Sequence, residues 1–164
     1  MTEIMKKYHV APAQINLEIT ETAAAHSDML ENNIKILHKQ GIEFSLDDYG
    51  SGYSNTDYLF RFPFRIVKID KTILWEAFKN EKAMIALRNT IRMIKELGLE
   101  IVVEGVENQE YVDYLTEQHC DYLQGYFYSK PIPDRDFLEL LRRENAQYYA
   151  ERFSKNELSD IITT

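Results

Sequence analysis

Apolar positions along the chain recur at two spacings, one for strands and one for helices. Ile15-Asn16-Leu17-Glu18-Ile19-Thr20 alternates apolar and polar residues and is rich in β-branched side chains, which predicts a strand. Ile15, Leu17 and Ile19 point to one side, and Asn16, Glu18 and Thr20 to the other. A surface strand would turn that second side to water; a closed parallel barrel would turn it inward toward a site. Further strands are expected over 42–47, 65–70, 99–104 and 121–126. The fourth is the most continuously apolar, as strands covered on both faces are. Leu30, Ile34 and Leu37 recur at helical spacing and predict a helix over 28–40, with Gly41 as its left-handed stop. Met84, Leu87, Ile91 and Ile94 mark a long helix over 81–97 that Gly98 ends. Shorter helices are expected over 2–8, 56–62, 108–118, 134–144 and 146–160, with a short helix or loop over 71–79. Pro12 and Pro63 act as breakers.

Gly41–Asp47 and Gly98–Glu104 align without a gap. In each, a helix stops at glycine and a strand ends six residues later on a carboxylate, which is the unit of a strand–helix repeat. Five strands separated by helices predict parallel pairing with right-handed crossovers. An open doubly wound sheet and part of a strand–helix barrel both satisfy this pattern.

Composition narrows the function classes. A chain of 164 residues has room for one real core. A net charge of −8 argues against bulk binding of nucleic acid or an anionic membrane. A small anionic ligand needs a metal or a local lysine to offset that charge. The single cysteine, Cys120, excludes an internal disulfide and fits a reducing cytosol. Beside the apolar Tyr122-Leu123 it reads as a packed thiol rather than a nucleophile. No basic, long apolar segment opens the chain and no apolar run reaches membrane-spanning length, so neither a signal peptide nor a span is expected.

The candidate chemistry lies at the strand ends. Glu18, Asp47 with Asp48, Lys68 with Asp70, Glu104 and Gln124 each stand at or near the C-terminal end of an expected strand. An Asp-Asp pair alone reads as an acidic, solvated turn. Its recurrence with other terminal acids favours a barrel, which converges its strand ends on one pocket, whereas an open sheet spreads them along a crest. Adjacent carboxylates ask for a positive charge between them, and hard oxygen ligands suit Mg²⁺ or Mn²⁺. Gly50-Ser51-Gly52 lacks the third glycine of a dinucleotide loop, and no Walker lysine follows. The four histidines have no paired spacing, which argues against a histidine-based zinc site.

Leu17-Glu18-Ile19-Thr20-Glu21, Leu46 through Ser54, Lys68-Ile69-Asp70, Glu104-Gly105-Val106-Glu107 and Gln124-Gly125-Tyr126 resemble, in order and spacing, the motif series of the EAL family. These are bacterial phosphodiesterases that cleave cyclic di-GMP to linear pGpG. The resemblance runs from about Ile15 to Leu141 and implies a modified strand–helix (TIM-like) barrel with its site at the C-terminal strand ends. Carried over by position, it implies metal ligands at Glu18, Asp47 and Asp48, with Asp70 beside the second ion. Lys68 would hold the attacking water and Glu104 would serve as or orient the base. Glu107, Gln124 and Tyr126 would support the site and substrate. Glu21 would anchor a loop over Tyr49–Ser54 that couples metal binding to dimerisation. Two Mg²⁺ or Mn²⁺ ions would clamp the attacking and leaving oxygens.

Departures from the family pattern carry expectations of their own. The Glu-Ala-Leu strand and the Asn ligand strand are absent from this sequence, and five expected strands fall short of the eight, in about 250 residues, of a full barrel. The expectation is therefore a partial barrel of about five parallel strands with flanking helices. It divides into a lead-in over 1–14, the C-terminal part of an EAL-type barrel over 15–145, and a helix and tail over 146–164. Such a piece is expected to be inactive alone; the alternative is a degenerate, non-catalytic binding or regulatory module for cyclic di-GMP. Open strand edges predict self-association. His119 stands where the family has glycine, which predicts strain or a different cap in that turn.

Overall fold

A computed structural model describes residues 2–25, 28–52 and 56–152. The chain divides into two compact units, Met1–Tyr128 and Ser129–Thr164. The first contains α1 (Thr2–Lys7), β1 (Asn16–Thr20), α2 (Glu21–Ala25), α3 (Asp28–His38), β2 (Glu43–Tyr49), α4 (Tyr58–Arg61) and β3 (Ile66–Ile69). It continues through α5 (Lys71–Ala77), α6 (Glu81–Glu96), β4 (Glu100–Val103), α7 (Gln109–Glu117) and β5 (Tyr122–Leu123). The second contains α8 (Asp134–Arg152). No helix among the described residues is long and apolar enough to cross a membrane.

The five strands form one parallel sheet in the order β1-β2-β3-β4-β5. A doubly wound sheet reverses its strand order part-way; this one proceeds in sequence, as an arc of a strand–helix barrel does, and the sheet does not close. Phe44, Leu46, Val67, Ile69, Ile101 and Val103 are buried on the helix-facing side. They join Ile34, Leu74, Leu87, Ile91, Ile94 and Leu115 from the helices in a single core. Because side chains alternate across a strand, Glu18, Ser45 and Lys68 fall on the opposite side. There Ser45 Oγ donates to Asn16 Oδ1 at 2.7 Å.

Helix ends follow local chemistry. Asn80 and Asn108 accept from the first turns of α6 and α7. Gly41 and Gly98 take positive φ after α3 and α6. His119 does the same after α7, at φ 56. There Cys120 N donates to Leu115 O at 3.1 Å and His119 N to Thr116 O at 2.9 Å, the paired bonds of a Schellman end. The turn that glycine would occupy is thus made by histidine in the same left-handed conformation.

Four elements differ from the sequence expectation. Residues 21–25, to which the pattern assigns nothing, form α2, since Ala23, Ala24 and Ala25 are strong helix formers. The helix expected over 56–62 is confined to Tyr58–Arg61. The strand expected over 121–126 shortens to Tyr122–Leu123, because the chain turns at Gly125, where Tyr128 N donates to Gly125 O at 3.1 Å. The helices expected over 134–144 and 146–160 are one through Arg152, with no glycine or proline between to break it; the rest of the second lies outside the described residues.

Candidate active site at the strand ends

Register places the charged groups together. Opposite β3, the partners run Leu46 with Val67 and then Tyr49 with Ile69, so β2 carries one extra residue there. This is a β-bulge. Asp48 takes the left-handed conformation within it, at φ 56. In a regular strand two consecutive side chains would point to opposite faces. Here one carboxylate oxygen from each of Asp47, Asp48 and Glu104 lies within 4.8 Å of the others. Glu104 reaches this group from the residue after β4, where its N–H donates to Ile69 O at 3.0 Å.

Lys68 stands among these acids. Its Nζ lies 2.8 Å from Asp47 Oδ1 and 3.0 Å from both Glu18 Oε1 and Glu104 Oε1. Asp47 Oδ1 is buried and faces the Lys68 ammonium. Burial alone would lower the Lys68 pKa, but Asp47, Glu104 and Glu18 together hold it above the ordinary lysine value. The pKa of Asp48 is raised as well, which for an acid disfavours the charged form: burial first, then the charges of Asp47 and Asp70, raise it. One ammonium serves three carboxylates, with a fourth beside them. A set of close oxygen donors carrying excess negative charge suits a hard divalent cation.

Asp70 is buried and caps α5: its Oδ1 accepts from Thr72 N at 2.8 Å and from Thr72 Oγ1. It lies outside the close oxygen group of Asp47, Asp48 and Glu104, and acts on it through its charge. Glu21 is almost fully buried at the start of α2; its Oε2 accepts from Gly50 N at 3.2 Å, while Oε1 has no hydrogen-bond partner among the described residues. Tyr53 and Ser54 of the expected loop lie outside the described residues. Glu107, Gln124 and Tyr126 line a cleft of about 220 Å³ that shares Glu104 with the acidic group. Lys71 and Trp75 of α5 also line it, and sequence reasoning passed over both. The available signal was their spacing of four, which puts a cation and the chain's one tryptophan on a single helix face directly after Asp70.

The sequence profile of the EAL domain matches residues 1–131. The chain belongs to the EAL domain family. The cyclic di-GMP phosphodiesterase RocR of Pseudomonas aeruginosa is 33% identical over 141 residues, covering 85% of this chain and 36% of RocR. The PaMucR phosphodiesterase, solved as a c-di-GMP complex, has a TM-score of 0.77 at 29% identity, covering 83% of this chain and 56% of that one. Klebsiella pneumoniae BlrP1, solved as calcium and manganese complexes with cyclic di-GMP, has a TM-score of 0.73 at 27% identity, covering 79% of this chain and 33% of that one. This EAL chain thus spans less than two thirds of the length of each of these relatives. Its five-stranded sheet is the partial barrel that the sequence led us to expect.

Proposed function

We propose that this chain carries the C-terminal part of the site of a metal-dependent phosphodiesterase that hydrolyses cyclic di-GMP to linear pGpG. The observation that carries the reading is the approach of Asp47, Asp48 and Glu104 oxygens to within 4.8 Å of one another, with Lys68 between acids at the C-terminal strand ends. Names of relatives such as RocR support the substrate. Glu18, Asp47 and Asp48 would hold Mg²⁺ or Mn²⁺, with Asp70 beside them. Divalent cations bound there would lower the pKa of water and neutralise charge on the phosphate. Lys68 orients the attacking water. Glu104 takes its proton as the new P–O bond forms and the bond to the ribose oxygen breaks; the leaving oxygen takes a proton from solvent water, and Glu104 returns its own to solvent. Glu107, Gln124 and Tyr126 support substrate in the cleft, and Glu21 anchors the loop after Tyr49. The single cysteine, Cys120, and the proposed substrate class support a cytoplasmic setting for this chemistry.

The open sheet favours a second reading, a binding or regulatory module without turnover. β1 and β5 each lack a neighbour on one side among the described residues, and unpaired edges recruit other chains. We therefore also propose self-association, which a compact monomer in sedimentation at high concentration would refute.

The deciding experiment is turnover of cyclic di-GMP by this chain with Mn²⁺, with Glu104→Gln as control. Linear product from the unmodified chain alone supports catalysis. Nucleotide binding without product supports the second reading, and absence of both overturns the two together.

A further inference from the structure

The turn that carries Glu104 is clamped from two sides. From the sheet side, Val106 N donates to Gln124 O at 3.1 Å and Phe127 N donates to Val106 O at 3.0 Å. Gly125 lies so close that a Cβ there would fall 2.0 Å from Val106 O. From the other side comes α5. Trp75 Nε1 donates to Gly105 O at 2.8 Å. Gly105 has φ +73, and a Cβ on it would meet Lys71 Cβ at 2.3 Å and Trp75 Nε1 at 3.0 Å. Helix and turn therefore touch without an intervening side chain from Gly105. Lys71 Nζ stands over the indole, 5.4 Å from its centroid, which adds a cation–π contact that holds the ring in place.

We propose that Trp75 is a positioning residue of the site. By holding Gly105 O, its indole N–H sets the direction in which the neighbouring Glu104 carboxylate meets Asp47, Asp48 and Lys68. The inference rests on the reading above, that this acidic group holds a divalent cation. Partners that orient metal ligands typically change metal affinity by about 10–100-fold when removed. Trp75 keeps Glu104 from swinging away, so the oxygen group is formed before the ion arrives. As the chain's one tryptophan, it also supplies a single indole N–H signal beside the site.

The test is Mn²⁺ binding to the full chain, read from the spin resonance of free Mn²⁺, in the parent and three variants. Trp75→Phe keeps an aromatic ring and removes the donor; about tenfold weaker Mn²⁺ binding is expected. Phe78→Leu is the structural control. Phe78 ends the same helix and packs on Tyr111 and Tyr114 with centroids at 4.4 and 5.6 Å, so its loss lowers thermal stability and leaves Mn²⁺ affinity unchanged. In ¹⁵N-labelled parent, the single indole cross-peak shifts on titration with Mg²⁺, and it stays in place in Glu104→Gln. Trp75→Phe binding Mn²⁺ as the parent does, or weakening no more than Phe78→Leu, overturns the positioning role alone. A parent that fails to bind Mn²⁺, or binds it as well in Glu104→Gln, overturns the metal reading and the inference with it.

Discussion

Lys68 Nζ lies 2.8 Å from Asp47 Oδ1, across two neighbouring parallel strands. Two further carboxylates share the same ammonium. Lys68→Met would leave three close acids without their cation. Removing one partner of a fully buried pair costs about 3–5 kcal/mol; Glu18 is half exposed, so a loss of about 1–2 kcal/mol is expected at neutral pH. Urea unfolding measures it, and millimolar Mg²⁺ should restore part of it. Since folding raises the Lys68 pKa above the ordinary 10.5, its contribution is whole below that value and is lost only as pH rises beyond it.

Asp48 should behave in the opposite sense. Its folded pKa is raised above the ordinary 3.8, first by burial and then by Asp47 and Asp70, so its ionised form weighs against folding. That penalty is absent in acid below 3.8 and grows as pH rises through the folded value. Asp48→Asn keeps a residue that tolerates left-handed backbone. It should stabilise the metal-free chain at neutral pH by up to about 0.5 kcal/mol, have no such effect in acid, and weaken Mn²⁺ binding. Paired melts with and without Mn²⁺ read all three.

Gly125 admits no side chain. An added Cβ would lie 2.0, 2.4 and 2.6 Å from the O, N and C of Val106, and backbone cannot swing aside. Gly125→Ala should cost about 2–3 kcal/mol in denaturant unfolding. It should also disturb the Glu104–Glu107 turn, visible as a shift of the Trp75 indole signal.

His119→Gly should stabilise the chain. Left-handed backbone costs an ordinary residue about 1–2 kcal/mol, and glycine returns about half of that through its unfolded-state entropy. A net gain of about 0.5–1 kcal/mol is expected, or roughly 1–4 °C in melting temperature. No gain would show that the side chain offsets its own backbone strain.

The Cys120 thiol should be slow to react. Burial, eased a little by Lys95, pushes its pKa up to about 12. Thiol titration of the folded chain at mildly alkaline pH should run at least roughly tenfold slower than in urea. Because the unfolded thiol ionises near 9.0 and the folded one does not, stability should fall as pH climbs from there toward 12.

The two spacings in the chain, and the residues that stop them, were enough to locate the elements. Period-two and period-3.6 patterns record which face of each segment is buried, and burial is the main term in folding. Gly41 and Gly98 mark helix ends because left-handed turns are a local matter. The order of acids at the strand ends was equally legible, since parallel strands put their C-terminal ends on one side. The shortness of β5 was not, because it depends on Gly125 meeting the Val106 backbone. Nor could sequence decide that Asp47 and Asp48 share a side: alternation separates neighbours, and only the bulge opposite β3 reunites them. Asp70 caps its own helix, and Trp75 reaches a carbonyl thirty residues away. Those relations are set by how strands register and how a helix packs against a turn, and such long-range fits leave no period in the chain.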